Sequence, residues 1–139
     1  MSAAATHDRM LEVVREHMDS ENRHDFDATI ATFAHPRYEL IGSGQVFDGE
    51  EAVREYYRSS RTAFPDQRNE IRALHVADNA VISEFDLLGT HDSEFAGFAA
   101  TGREFRCPMI AVFDFDGDRI VSERVYFDSA TILRQLGLP

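Results

Sequence analysis

The run REFRCPMIAVFDF, residues 103–115, limits the folds open to this chain more than any other stretch. Read as a strand, it sends Phe105, Cys107, Met109, Ala111 and Phe113 to one face and Ile110 and Val112 to the other. Both faces are then apolar, and both need cover. Three helical patterns come first, over residues 6–22, 25–34 and 48–64, with Thr6, Asp25 or Asp27, and Asp48 at their starts. A short strand pattern, RYELI at 37–41, lies between the second and third. Strand patterns then follow at 68–76, 80–91, 103–115 and 119–127, and a short helix at 129–136 ends before Gly137. Helices followed by a meander predict an α+β domain, with helices on one face of a mostly antiparallel sheet. Those helices cover one face only. A second copy of the chain is the simplest cover for the other, so a homodimer is expected.

The 139 residues suit one domain with one core, spanning residues 1–139. A net charge of −11 argues against nucleic acid and anionic membrane surfaces as partners. The single cysteine, Cys107, rules out a disulfide within the chain. No apolar run approaches the ~20 residues of a membrane span, and the first residues lack a secretory pattern, so a cytoplasmic location is expected. The stretch DFDGDR fails as a calcium loop, because Arg119 and Val125 stand where glycine and glutamate are required. The histidines show no metal-ligand spacing, and no glycine-rich phosphate cradle is present, so neither metal nor other cofactor is expected.

Helical and strand periodicity select the candidate inner residues. On the first helix, Met10, Val13, Val14, His17 and Met18 share a stripe with His17 near its middle. A ring there is either a core histidine tied to a carbonyl or part of a site. On the third helix Tyr56 lies on the inner stripe and Tyr57 on its flank; both fit a cavity wall or ordinary packing. In the 80–91 strand, Val81, Ser83, Phe85 and Leu87 look toward the helices. His91, at the end of that strand, is a candidate at a pocket mouth or a solvated loop residue.

The segments FAHPRYEL, FDGEEAVREYYRSS, AFPD, GTH, TGREFRC and FDFDGDRIVSERVYFDSATILRQLGL occur in an order that resembles SnoaL-like polyketide cyclases. These belong to the nuclear-transport-factor-2-like superfamily, with ketosteroid isomerase and limonene epoxide hydrolase. The resemblance implies a cone: a curved, mostly antiparallel sheet wrapped around N-terminal helices and enclosing an apolar pocket. It also implies a homodimer through the outer sheet face and acid/base chemistry without a cofactor. The superfamily's acidic and basic catalytic positions fall at or near Ile41, Phe85, Leu87, Ala111 and Val125, all apolar in this chain. Together with Met109 they are expected to form pocket wall. Neither a standard epoxide hydrolase nor a ketosteroid isomerase is therefore expected.

A different polar set remains. His17 matches the isomerase position that carries an oxyanion tyrosine, and Tyr57 lies in the segment that supplies that residue's hydroxyl partner. Glu39 shares strand parity with Ile41, and Glu123 with Val125. The expected site has Glu39 as general base, His17 supported by Tyr57 as donor to an enolate, and Glu123 as a second acid. The alternative for Glu39 is a place near the strand's end, paired with Arg37 or with an arginine from the sheet. The expected function is cyclisation, isomerisation or dehydration of a lipophilic carbonyl compound. The alternative is a homodimer that binds a small apolar metabolite without catalysis.

Overall fold

A computed structural model describes residues 3–139. The elements run α1 (Ala3–Asn22), α2 (Phe26–Ala31), β1 (Arg37–Leu40), β2 (Gln45–Asp48), α3 (Glu50–Ala63), β3 (Arg68–Val76), β4 (Ala80–Thr90), β5 (Glu104–Asp116), β6 (Arg119–Tyr126) and α4 (Ser129–Leu136). The sheet order is β2-β1-β6-β5-β4-β3, antiparallel throughout except for the β1–β6 pair. The predicted α+β architecture is the observed one. Register shifts at Ile71/Ala73 and Asp114/Phe115 help bend the sheet around the helices.

Local chemistry sets most boundaries. Asp25 caps α2 by accepting from the backbone N–H of Ala28 at 3.2 Å. Asp128 does the same for α4 at Ala130, and Gly137 closes that helix in the left-handed region. Thr6 does not cap α1, because helix already runs from Ala3 through the alanine-rich start. The edge strand β2 was not legible in the sequence, being short and mostly exposed.

The inner face follows the alternation of β5. Phe105, Cys107, Met109, Ala111 and Phe113 are buried, whereas Ile110 on the outer face is 41% exposed. α1 lays Met10, Val13, Val14, His17 and Met18 into this core. β1 departs from expectation. Tyr38 and Leu40 are the buried pair, so Glu39 faces outward, and Ile41 just beyond the strand is 40% exposed.

Candidate active site

Between the inner sheet face, α1, α3 and α4 lies a cavity of about 430 Å³. Phe85, Leu87, Met109 and Val125 form apolar wall. Tyr56 and Glu123 also reach the cavity, joined by three residues that sequence reasoning missed: Glu21, Tyr38 and Arg61.

His17 is fully buried and connects to this polar end from behind. Its Nδ1 lies 2.8 Å from Thr32 Oγ1, and Thr32 Oγ1 lies 2.6 Å from the Thr29 carbonyl. A carbonyl only accepts, so the single hydroxyl proton of Thr32 must point to it. Thr32 Oγ1 then accepts from His17, which fixes the proton on Nδ1 and leaves Nε2 as an acceptor. That bare nitrogen stands 2.9 Å from the Tyr38 hydroxyl and 3.0 Å from Glu123 Oε1. No hydrogen-bond donor serves Glu123 Oε1. Two acceptors at 3.0 Å repel unless a proton lies between them, so Glu123 is best satisfied as the acid.

The electrostatics agree. Burial pushes the Glu123 carboxyl up to about 8, against smaller lowering by the Tyr38 hydrogen bond and Arg61. Burial lowers the His17 pKa, with the Glu21 charge opposing. Phe33 and Phe113 pack edge-on against the imidazole, both at 5.2 Å, and keep water from it. Glu21 is also raised by burial, although His17 and Arg61 pull it back. Tyr57 and Tyr38 hydroxyls lie 2.7 Å apart, and Tyr38 reaches Glu21 Oε2 at 3.2 Å. The Tyr57, Tyr38 and Glu21 oxygens thus form one hydrogen-bonded chain, in which the single Tyr38 proton is shared among neighbouring acceptors that include His17 Nε2. Burial holds Tyr56 at about 12, so its hydroxyl remains a donor at any physiological pH.

Several expected site residues lie elsewhere. Contrary to the inward placement expected of a general base, Glu39 points away from the cavity and sits 3.5 Å from Arg37. Ile41 is on the same outer side and contributes no wall. Ala111 is packed into the core behind the wall, opposite Ser83 and Val125 in the sheet register. Tyr57 is one layer back, outside the cavity lining, and its hydroxyl meets the site through Tyr38. His91 is neither solvated nor in the mouth. It is fully buried, and its Nδ1 accepts from the Thr101 N–H at 3.2 Å, tying down the base of the loop after β4.

Among the described residues, no group of three or more His, Cys, Asp or Glu side chains is arranged to hold a metal ion, and no helix is long and apolar enough to cross a membrane. A curved sheet around an apolar cavity, with a carboxyl group in its wall backed by an imidazole, agrees with the sequence resemblance. The profile of the SnoaL-like polyketide cyclases matches residues 9–136. The chain belongs to the SnoaL-like polyketide cyclase family. Solved structures share this SnoaL-like fold. A candidate SnoaL-like polyketide cyclase from Jannaschia sp. CCS1 superposes with a TM-score of 0.85 at 18% identity, covering 96% of this chain and 94% of that one. IdmH, a candidate polyketide cyclase from Streptomyces antibioticus, gives 0.80 at 23% identity over 93% and 99% of the two chains. TsrD from Streptomyces laurentii gives 0.80 at 20% identity over 94% and 96%. No curated protein matches the sequence. Two carboxyl groups reach the cavity beside His17, and Glu123 on β6, at 3.0 Å from Nε2, is nearer than Glu21 on α1, at 3.6 Å.

Proposed function

We propose that this SnoaL-like protein is a cofactor-independent acid/base catalyst of the cyclase type, acting on a lipophilic carbonyl compound, with Glu123 and His17 as its proton-handling pair. One observation carries the reading: Glu123 Oε1 stands 3.0 Å from an imidazole nitrogen that has no proton of its own, at the wall of an apolar cavity. The pair owns one proton and can place it on either partner. His17 takes the proton from Glu123, and the freed carboxylate removes a proton α to the substrate carbonyl. The electrons of that C–H bond form an enolate, whose oxygen accepts from the Tyr56 hydroxyl. Attack on a second carbonyl forms the ring bond and leaves an alkoxide. Glu123 protonates the alkoxide, and His17 returns its proton to Glu123. Glu21, 3.6 Å from Nε2, favours the transient imidazolium.

The outer sheet face supports a homodimer as part of the same proposal. Ile110 and Tyr126 pair across β5 and β6 and are both exposed. Burying them against a second copy would remove apolar surface from water.

The catalytic reading is tested with 2-tetralone in deuterated buffer, following exchange of its α-protons by NMR. The wild type should accelerate exchange. Glu123→Gln keeps a donor toward Nε2 but cannot release a proton, so exchange should fall by about 100- to 10,000-fold. His17→Phe should fall comparably, and the double variant little further. Binding without exchange in the wild type would favour the ligand-binding alternative.

A further inference from the structure

We infer that the ligand of this cavity is an anion, a lipophilic carboxylate whose charged end docks on Arg61. The inference rests on the reading of this cavity as the substrate site, and it adds the chemical class of what enters. Arg61 lies one helical turn beyond Tyr57 on α3, and its side chain is only 10% exposed. The guanidinium sits over the rings of Phe26 and Tyr57, at 5.1 and 5.6 Å. These rings fix its position and supply no hydrogen-bond acceptor.

The guanidinium has five N–H donors and no way to shed its charge. One nitrogen donates to Ser60 Oγ at 2.8 Å. Another forms a long ion pair with Glu21 Oε2 at 3.9 Å, too far for a hydrogen bond, and the Tyr56 hydroxyl is a neutral acceptor within the fork's reach. Nε is buried without a partner. A cation this enclosed, with this much of its fork unused, is costly to maintain. A carboxylate arriving from the cavity would be the planar acceptor that such a fork fits. Phe85, Leu87 and Met109 then face the hydrocarbon body of the ligand.

Glu21 is the competing anion, but at 3.9 Å it leaves the hydrogen-bonding positions of the fork open. It already receives the Tyr38 hydroxyl at 3.2 Å, and burial disfavours its charge. When a second carboxylate approaches Arg61, repulsion between the two acids should drive a proton onto Glu21. Binding of the anion should therefore be coupled to proton uptake. The protein's charge of −11 repels anions at long range, so any preference for an acid must arise locally.

The probes are 2-naphthoate and methyl 2-naphthoate, which share a ring system and differ in charge. Isothermal titration at pH 7 should show the acid binding at least about tenfold more tightly than the ester. Titration in buffers of different ionisation enthalpy should show proton uptake with the acid and none with the ester. Arg61→Met should remove the preference. Arg61→Lys, which keeps the charge without the fork, should retain part of it and serves if the methionine variant fails to fold. Equal or tighter binding of the ester, no binding of the acid at about 1 mM, or an undiminished preference in Arg61→Met overturns the inference. The readout is binding and not turnover. Loss of the acid preference with intact 2-tetralone exchange would sink the anion and spare the acid/base pair. Intact preference without exchange would do the reverse.

Discussion

Two carboxyl groups are removed from water on opposite faces of one sheet, and they are held in opposite states. Asp86 on β4 is 1% exposed on the outer face. Arg72 Nε donates to it at 2.9 Å, Arg106 adds a bond at 2.7 Å, and a second Arg72 nitrogen completes the cover. The Arg72 hydrogen bonds hold Asp86 below the ordinary carboxylate range, outweighing burial. Glu123 on β6 is 4% exposed on the inner face, where its neighbours are an imidazole, a phenol and apolar wall. Burial wins there and raises the group to about 8. Removal from water does not by itself decide protonation. The deciding factor is whether a guanidinium makes direct contact, and Arg61 acts on Glu123 only as a lesser charge.

Exchanging each acid for its amide gives the hardest break in the comparison. Glu123→Gln should cost 2-tetralone exchange about 100- to 10,000-fold, whereas Asp86→Asn should leave it within about twofold. Stability against pH separates the two faces next. Glu123 has a folded pKa of about 8 against an ordinary 4.5, so the folded state binds more protons between those values. Its contribution is full below 4.5 and is lost as pH rises toward 8. His17 is shifted down from 6.5, so its opposing slope is complete by that pH. Urea titrations from pH 6.5 to 8 should show stability falling by about 2 kcal/mol, and Glu123→Gln should remove most of the fall. A flat wild-type profile would contradict a neutral Glu123.

The outer acid should behave in the opposite sense. Its lowered pKa gives stability that is present above the ordinary 3.8 and lost as pH falls through the folded value. Asp86→Asn should cost about 1–2 kcal/mol at pH 7, discounted because both arginines reach solvent, and less near pH 3. Ile110 lies farther along the same outer face. Ile110→Asp should weaken self-association by at least about tenfold in sedimentation, with the inner site unaffected. A wild-type monomer at micromolar concentration would remove the dimer from the proposal.

The sequence carried the β5 alternation, the His17 stripe and the inward parity of Glu123, because each is a local period read along one element. It was less legible where packing joins distant segments. Glu21 follows His17 by one turn on α1, a spacing visible in the sequence, but its burial depends on Tyr38 from β1 and Arg61 from α3. His91 is buried because the loop after β4 folds back, with Asp92 and Ser93 donating to the Ala63 carbonyl. Tyr38 and Leu40 alternate with Arg37 and Glu39, a binary pattern that already places the charges outside. The family resemblance instead implies an inward Ile41, and with it by parity an inward Glu39. The strand has ended by Ile41, and the chain turns there toward Gly42 and Gly44.

Glu39 supplies the smallest expected effect and the cleanest control for the comparison. It shares a strand with Tyr38, whose hydroxyl lies within the site, yet the two side chains leave β1 on opposite faces. Its nearest cation is Arg37, at 3.5 Å, and both side chains are about one-third exposed. An ion pair in that setting is screened by solvent and adds little. Glu39→Gln should therefore change unfolding free energy by no more than roughly 0.5 kcal/mol and leave 2-tetralone exchange at the wild-type rate. The same amide substitution would then be severe at Glu123 and silent at Glu39, although β1 and β6 are adjacent strands with Tyr38 in register with Glu123. If Glu39→Gln slowed exchange as much as Glu123→Gln, facing the cavity would not be what makes a carboxyl group catalytic here, and the assignment of Glu123 would have to be given up.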